Sequence, residues 1–167
     1  MSDLIIRNRA ENGICTLTLQ SEANRNALSS HMLQTLLSEI QRASDDSRVR
    51  VIVIDAKGSA FCAGHDLREI ESHRDDLDHG AQFFTALMAL CTETMRAIVT
   101  APKPVIAKVD GIATAAGCQL VASCDLAYAS ERSKFSTPGV HIGLFCSTPM
   151  VALSRNIATK HAMEMLL

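Results

Sequence analysis

The sequence predicts an α/β fold built on a mostly parallel sheet, and three observations carry that expectation. Short apolar runs of strand length alternate with longer runs of helical spacing along the 167 residues. Residues 49–54 (VRVIVI) are apolar at nearly every position, as expected of a strand covered by helices on both faces. Two segments, 59–67 (SAFCAGHDL) and 109–125 (VDGIATAAGCQLVASCD), leave such runs, pass through small residues and enter a helix. Ligands of α/β folds sit beyond the carboxyl ends of the strands, so these two loops are the first places to look for chemistry.

Taken in order, residues 4–9 and 14–20 read as two strands joined at Glu11-Asn12-Gly13, where Asn-Gly is a hairpin turn signal. Leu33, Leu36, Leu37 and Ile40 recur on one helical face behind Ser29 and Ser30 as candidate N-caps, predicting a helix of about four turns. Residues 49–54 follow as a strand, 58–64 as a loop, and Leu67 opens a short helix. Residues 81–99 carry Phe84, Leu87, Met88, Cys91, Met95 and Ile98 at helical spacing until Pro102 and Pro104 stop the helix. Residues 105–109 form a buried strand, 109–125 a loop and a helix, 126–129 a short strand, and 148–167 read as mostly helical. The apolar pattern continues to Leu167 without a terminating Gly or Pro, so the chain reads as cut short.

Composition excludes several classes of function. Hydrophobic residues make up 47% of the chain, enough to bury one core as a single domain. A net charge of -2 with mixed signs leaves no basic stripe for nucleic acid or an anionic membrane. The six cysteines show neither a CxxC pair nor zinc-ligand spacing, so reduced thiols and no metal are expected. With no secretory or transit pattern at the N-terminus and no run long enough to span a bilayer, the expectation is a cytoplasmic protein. P-loop, dinucleotide, serine-hydrolase and zincin motifs are missing. The two small-residue loops remain, each able to aim free backbone N–H groups and a helix dipole at an anionic atom.

Four segments, ANRNALS at 23–29, SAFCAGHDL at 59–67, KPVIAKVDGIATAAGCQLVASCDLAYAS at 103–130 and KFSTPGVHIGL at 134–144, resemble the enoyl-CoA hydratase/isomerase family, the crotonases, in register along the chain. The resemblance implies a spiral of ββα units with mostly parallel buried strands. It implies trimers in the complete family member, closed by a helical C-terminal region that residues 1–167, as the N-terminal core domain, would lack. It further implies lyase or isomerase chemistry on acyl-CoA in fatty acid metabolism, with the coenzyme A thioester as substrate or ligand rather than a resident cofactor. By similarity, the backbone N–H groups of His65 and Ala116 form the oxyanion hole. Arg25, Ala63, Gly64 and His65 fall where the family binds the CoA thioester, with Arg25 a candidate to face its phosphates.

The chain departs from the family at two positions. Hydratases of this kind hold the attacking water with two glutamates, and here Gln119 and Gly139 stand in their places. General acid-base catalysis contributes on the order of 10² to 10⁴ in rate and needs a group that exchanges a proton near neutral pH, which neither an amide nor a glycine supplies. His65 and His141 are the titratable residues nearest in sequence that could substitute. Cys118 and Cys146 are read as small buried hydrophobes. Three readings remain open: an enzyme with an altered proton donor, a binding protein without turnover, and an inactive fragment. If missing carboxylates alone silence hydration, restoring Glu at 119 and 139 together would create it.

Overall fold

The computed structural model describes residues 4–167. Strands β1 (Ile5–Arg9) and β2 (Ile14–Leu19) form the expected antiparallel hairpin. Helix α1 (Ser30–Asp45) begins where its cap predicts, with the Ser29 hydroxyl accepting the Met32 amide at 3.1 Å. It buries Leu33, Leu36, Leu37 and Ile40, the face read from the sequence.

From there the chain winds in repeated turns. The first comprises β3 (Val51–Ala56), β4 (Ala60–Cys62) and helices α2 (Leu67–Ser72) and α3 (Ala81–Val99). The second comprises β5 (Val105–Val109), β6 (Ile112–Thr114) and α4 (Ala116–Ser123). The third runs through β7 (Leu126–Ala129), β8 (Lys134–Ser136), a 3₁₀ turn at Pro138–Ile142, and helices α5 (Ser147–Asn156) and α6 (Thr159–Leu166). The leading strand of each turn joins a five-stranded sheet of order β1-β2-β3-β5-β7, parallel except for β1. The second strand joins a parallel sheet of order β4-β6-β8. This is the ββα spiral that the family resemblance implied.

The structure corrects the residue-level reading in three places. β4 and β6 lie inside segments read as loops and β8 lies in one left unassigned, because a three-residue strand is too short to show a period of two. The C-terminal helical stretch breaks into α5 and α6 around Ile157 and Ala158. β3 buries Ile52 and Ile54 against the core, whereas Val51 and Val53 on its other face are only half-buried, so helical cover on both faces does not hold.

Two features of the core position the loops of interest. Leu17, Leu19, Ile52, Ile54, Val105 and Ala107 fill the interior of the large sheet and fix the carboxyl ends of its strands. Pairing of Ala60 with Ile112 and of Cys62 with Ala113 then sets β4 beside β6 in parallel, so both strands discharge into their loops at the same edge.

Candidate active site

The β4 loop runs from Cys62 through Ala63, Gly64 and His65 to Asp66, which caps α2 by accepting the Arg68 amide at 3.0 Å. It is clamped to the preceding 21–28 segment by backbone bonds: the Ala63 amide donates to the Arg25 carbonyl at 3.1 Å, the Leu28 amide to Gly64 at 2.7 Å, and the Asp66 amide to Leu28 at 3.3 Å. The β6 loop is a single residue, Ala115, at φ 49° and ψ -120°. A left-handed alanine of this kind stores on the order of 1–3 kcal/mol. Its amide is held by the Ser136 carbonyl of β8 at 2.9 Å, and the turn it makes delivers Ala116 as the first residue of α4.

The two loops touch. Gly64 has φ +89°, and a Cβ placed there would lie 3.0 Å from the Ala115 Cβ, 3.1 Å from the Thr114 carbonyl and 3.4 Å from the Ala116 nitrogen. Glycine is therefore required both by conformation and by space. Among the described residues neither the His65 nor the Ala116 amide has an acceptor within the chain, and both residues stand at the edge of this contact. Two such N–H groups, one of them at a helix N-terminus, can donate to one developing oxyanion. The small residues of α4 also serve the fold itself, since a Cβ on Gly117 would lie 2.2 Å from the Cys62 carbonyl.

The side chains of the predicted site residues are not all alike in setting. The His65 imidazole is turned away from solvent, with no hydrogen-bond partner on either ring nitrogen among the described residues. Burial pushes its pKa down, opposed by the nearby Leu28 backbone and the Glu69 carboxylate, so the ring is neutral at pH 7. Glu69 in turn accepts the Ser30 amide at 2.8 Å. Arg25 is exposed, without an acidic partner among the described residues, and its backbone is left-handed at φ 52°. His141 is exposed at the end of the 138–142 turn.

Gln119 is 8% exposed, and its Oε1 lacks a hydrogen-bond partner. It lies three residues beyond Ala116, on the same face of α4, and helical side chains lean toward the N-terminus, so its amide leans toward the mouth of the helix. The same face borders a groove of about 540 Å³ with Met95 of α3 and Thr148 of α5. Gly139 is different. A Cβ there would meet both the Cys146 Sγ and the Leu144 carbonyl at 2.7 Å, because the Leu144 amide bonds back to the Gly139 carbonyl at 2.9 Å. The space that a side chain at 139 would enter is already filled.

Three residues at this site were not singled out from sequence, or were given another role. Asn26, fully buried and left-handed at φ 53°, accepts the Ser21 amide at 2.7 Å and donates to Lys57 and Ala60 at 2.9 and 2.8 Å, pinning the 21–28 segment to β4. Its signal was present in the Asn-Arg-Asn run, since Asn tolerates the left-handed region. Thr114 Oγ1 donates to the Ala63 carbonyl at 2.9 Å. Cys118 is buried as expected, but its thiol also donates to the Ala113 and Ser136 carbonyls at 2.9 and 3.2 Å, and burial pushes its pKa up to about 11. A thiol of that kind is a structural tie between α4, β6 and β8, not a nucleophile.

Residues 9–167 match the family described as enoyl-CoA hydratase/isomerase. The chain is 48% identical over 156 residues to the enoyl-CoA hydratase domain-containing protein 3, mitochondrial, of Xenopus laevis, covering 93% of this chain and 51% of that protein. Among solved structures it superposes with TM-score 0.90 on an enoyl-CoA hydratase of Mycobacterium smegmatis, at 48% identity over 99% of this chain and 62% of that one. The human enoyl-CoA hydratase domain-containing protein 3 superposes equally, with TM-score 0.90 at 44% identity over 98% of this chain and 62% of that one. The chain thus spans about half the length of the curated relatives it matches. The cytoplasmic expectation is overturned: the relatives from frog, rat, mouse, human and zebrafish are all named as mitochondrial. Reduced cysteines do not separate the two compartments, and the reading of the N-terminal residues, on which the expectation also rested, gives way to the mitochondrial names of these relatives.

Proposed function

The chain belongs to the enoyl-CoA hydratase/isomerase family, and on that premise we propose that it binds acyl-CoA thioesters and polarises their carbonyl with the His65 and Ala116 amides, without the carboxylate pair needed for efficient water addition. The observation that supports this reading is the contact of Gly64 with Ala115 and Ala116 at the N-terminus of α4, together with His65 and Ala116 amides that have no acceptor among the described residues. Loss of one such donor typically costs about 10²- to 10³-fold in rate, so an intact pair is a substantial asset for enolate chemistry. Gln119 can orient a substrate or a water through its amide but cannot exchange a proton.

Within the proposal Arg25, exposed and without an acidic partner among the described residues, faces the CoA phosphates, and Ala63, Gly64 and His65 cradle the thioester. The thioester is the ligand, and no separate cofactor is required. His141 is a weaker replacement for the missing base than its sequence position suggested, being exposed near the end of its turn, and the His65 ring is turned away from solvent with no hydrogen-bond partner among the described residues. The proposal extends the mitochondrial setting of the named relatives to this chain. A homotrimer of the complete protein belongs to the proposal, and exposed Ile142, Leu144 and Phe145 are apolar groups that further protein would cover.

Calorimetry with crotonyl-CoA, with ATP as the control for plain nucleotide binding, tests the reading. Binding of crotonyl-CoA alone is expected, with hydration at least about 10²-fold below that of a two-glutamate family member measured alongside. Equal binding of ATP, or hydration at the full rate of that enzyme, would remove it.

A further inference from the structure

The backbone ladder between β4 and β6 ends at the pair Cys62 and Ala113. Beyond it the two chains must part, because Gly64 and Ala115 both turn into the left-handed region. Outside the strand ladder, one hydrogen bond joins segments 63–66 and 114–117 among the described residues: the Thr114 hydroxyl donating to the Ala63 carbonyl at 2.9 Å. The peptide after that carbonyl leads directly into Gly64 and the His65 amide. The residue after Thr114 is the left-handed Ala115 that aims the Ala116 amide.

We propose that Thr114 is a positioning residue, whose hydroxyl replaces the missing rung of the ladder and sets the distance between the two oxyanion-donating amides. The proposal rests on the oxyanion reading given above. Other bonds at the site fix each loop to its own surroundings. Ala63, Gly64 and Asp66 are tied to the 25–28 segment, and Ala115 is tied to Ser136. None of these holds one loop against the other. Thr114 is half-buried on a strand, where a β-branched side chain has a restricted χ1, so its hydroxyl is held toward Ala63. Removal of that bond leaves both amides in place but lets their spacing relax.

The test is spectroscopic and needs no turnover. The absorption of para-dimethylaminocinnamoyl-CoA moves to longer wavelength as hydrogen bonds polarise its thioester carbonyl, so the shift on binding reports the amide pair directly. Thr114→Val keeps the shape and removes the donor; Thr114→Ala serves if the valine variant melts early; Thr114→Ser keeps the hydroxyl. The valine or alanine variant is expected to lose more than about half of the red shift while its affinity changes by less than roughly fivefold, with serine restoring the shift. A full shift in the valine or alanine variant overturns the role of Thr114 and leaves the oxyanion reading standing. Binding to the unaltered protein without any red shift, or no binding at all, overturns the oxyanion reading and this proposal with it.

Discussion

The first turn of α4 and the turn at 138–142 each hold one of the two positions where the family resemblance implies a glutamate, yet what stands there differs in kind. At 119 the side chain is isosteric with glutamate and sits in space that a carboxylate could occupy: a buried, unpartnered oxygen on the face of α4 that carries Ala116. At 139 there is no side chain, and the Leu144 carbonyl and the Cys146 thiol occupy the space one would enter. Relative to the glutamates the resemblance implies, the first position differs in chemistry and the second in shape. The expectation that restoring both glutamates would create hydration therefore meets an obstacle of packing at 139 that has nothing to do with acidity.

The sharpest way to break this comparison is Gly139→Glu. A side chain there must displace backbone at Leu144, and overpacking of this kind costs typically 1–3 kcal/mol and more when the obstacle is main chain. A fall of about 3 kcal/mol in unfolding free energy is expected from urea titration, with no gain in hydration, alone or combined with a change at 119. Full stability with new hydratase activity would show that the turn opens freely and that the two positions are equivalent after all.

Gln119→Glu probes the other side. The shape is conserved, so the expected loss is smaller, about 1 kcal/mol at pH 7, and it should depend on pH because the carboxyl has no partner at Oε1. Desolvation raises the folded-state pKa above the unfolded value of about 4.3, so the folded state binds the extra proton. Relative to Gln119, stability should therefore be retained below about pH 4.3 and be lost as pH rises through the folded pKa. Denaturant midpoints measured from pH 4 to 8 check it, and a flat difference would mean that the site is wet.

Much of this contrast was hidden in the sequence for a physical reason. The helices, the hairpin and the long strands were legible because their periodicity and caps are local, as with Ser29 and the buried face of α1. The absence of both glutamates could also be read directly. What could not be read was the filling of the space at 139, because it depends on residues five and seven positions later folding back through a left-handed Gly143. Gly117 shows the same limit: the small residues of the second loop suggested room for a ligand, yet one of them is glycine because the Cys62 carbonyl is in the way. The rung supplied by Thr114 was likewise invisible, since β4 and β6 themselves were read as loops.

The smallest expected effect lies with His65, whose imidazole shares with Gln119 the condition of buried polar atoms without partners. Its folded pKa is depressed by burial, so between that value and the unfolded value of about 6.5 the unfolded chain binds more protons than the folded one. The contribution of the neutral ring to stability is therefore present above about pH 6.5 and is lost as pH falls through the folded pKa. His65→Gln removes the titration while leaving the backbone amide that the proposed oxyanion hole requires. The variant should flatten the stability profile below about pH 6.5 and leave the red shift of the bound chromophore unchanged at pH 7.5, where the wild-type ring is already neutral. A red shift that fell with the ring would make the imidazole, and not only its amide, part of the carbonyl's environment. The β4 loop would then supply two groups to the site where α4 supplies one, and the balance between the two loops would have to be redrawn.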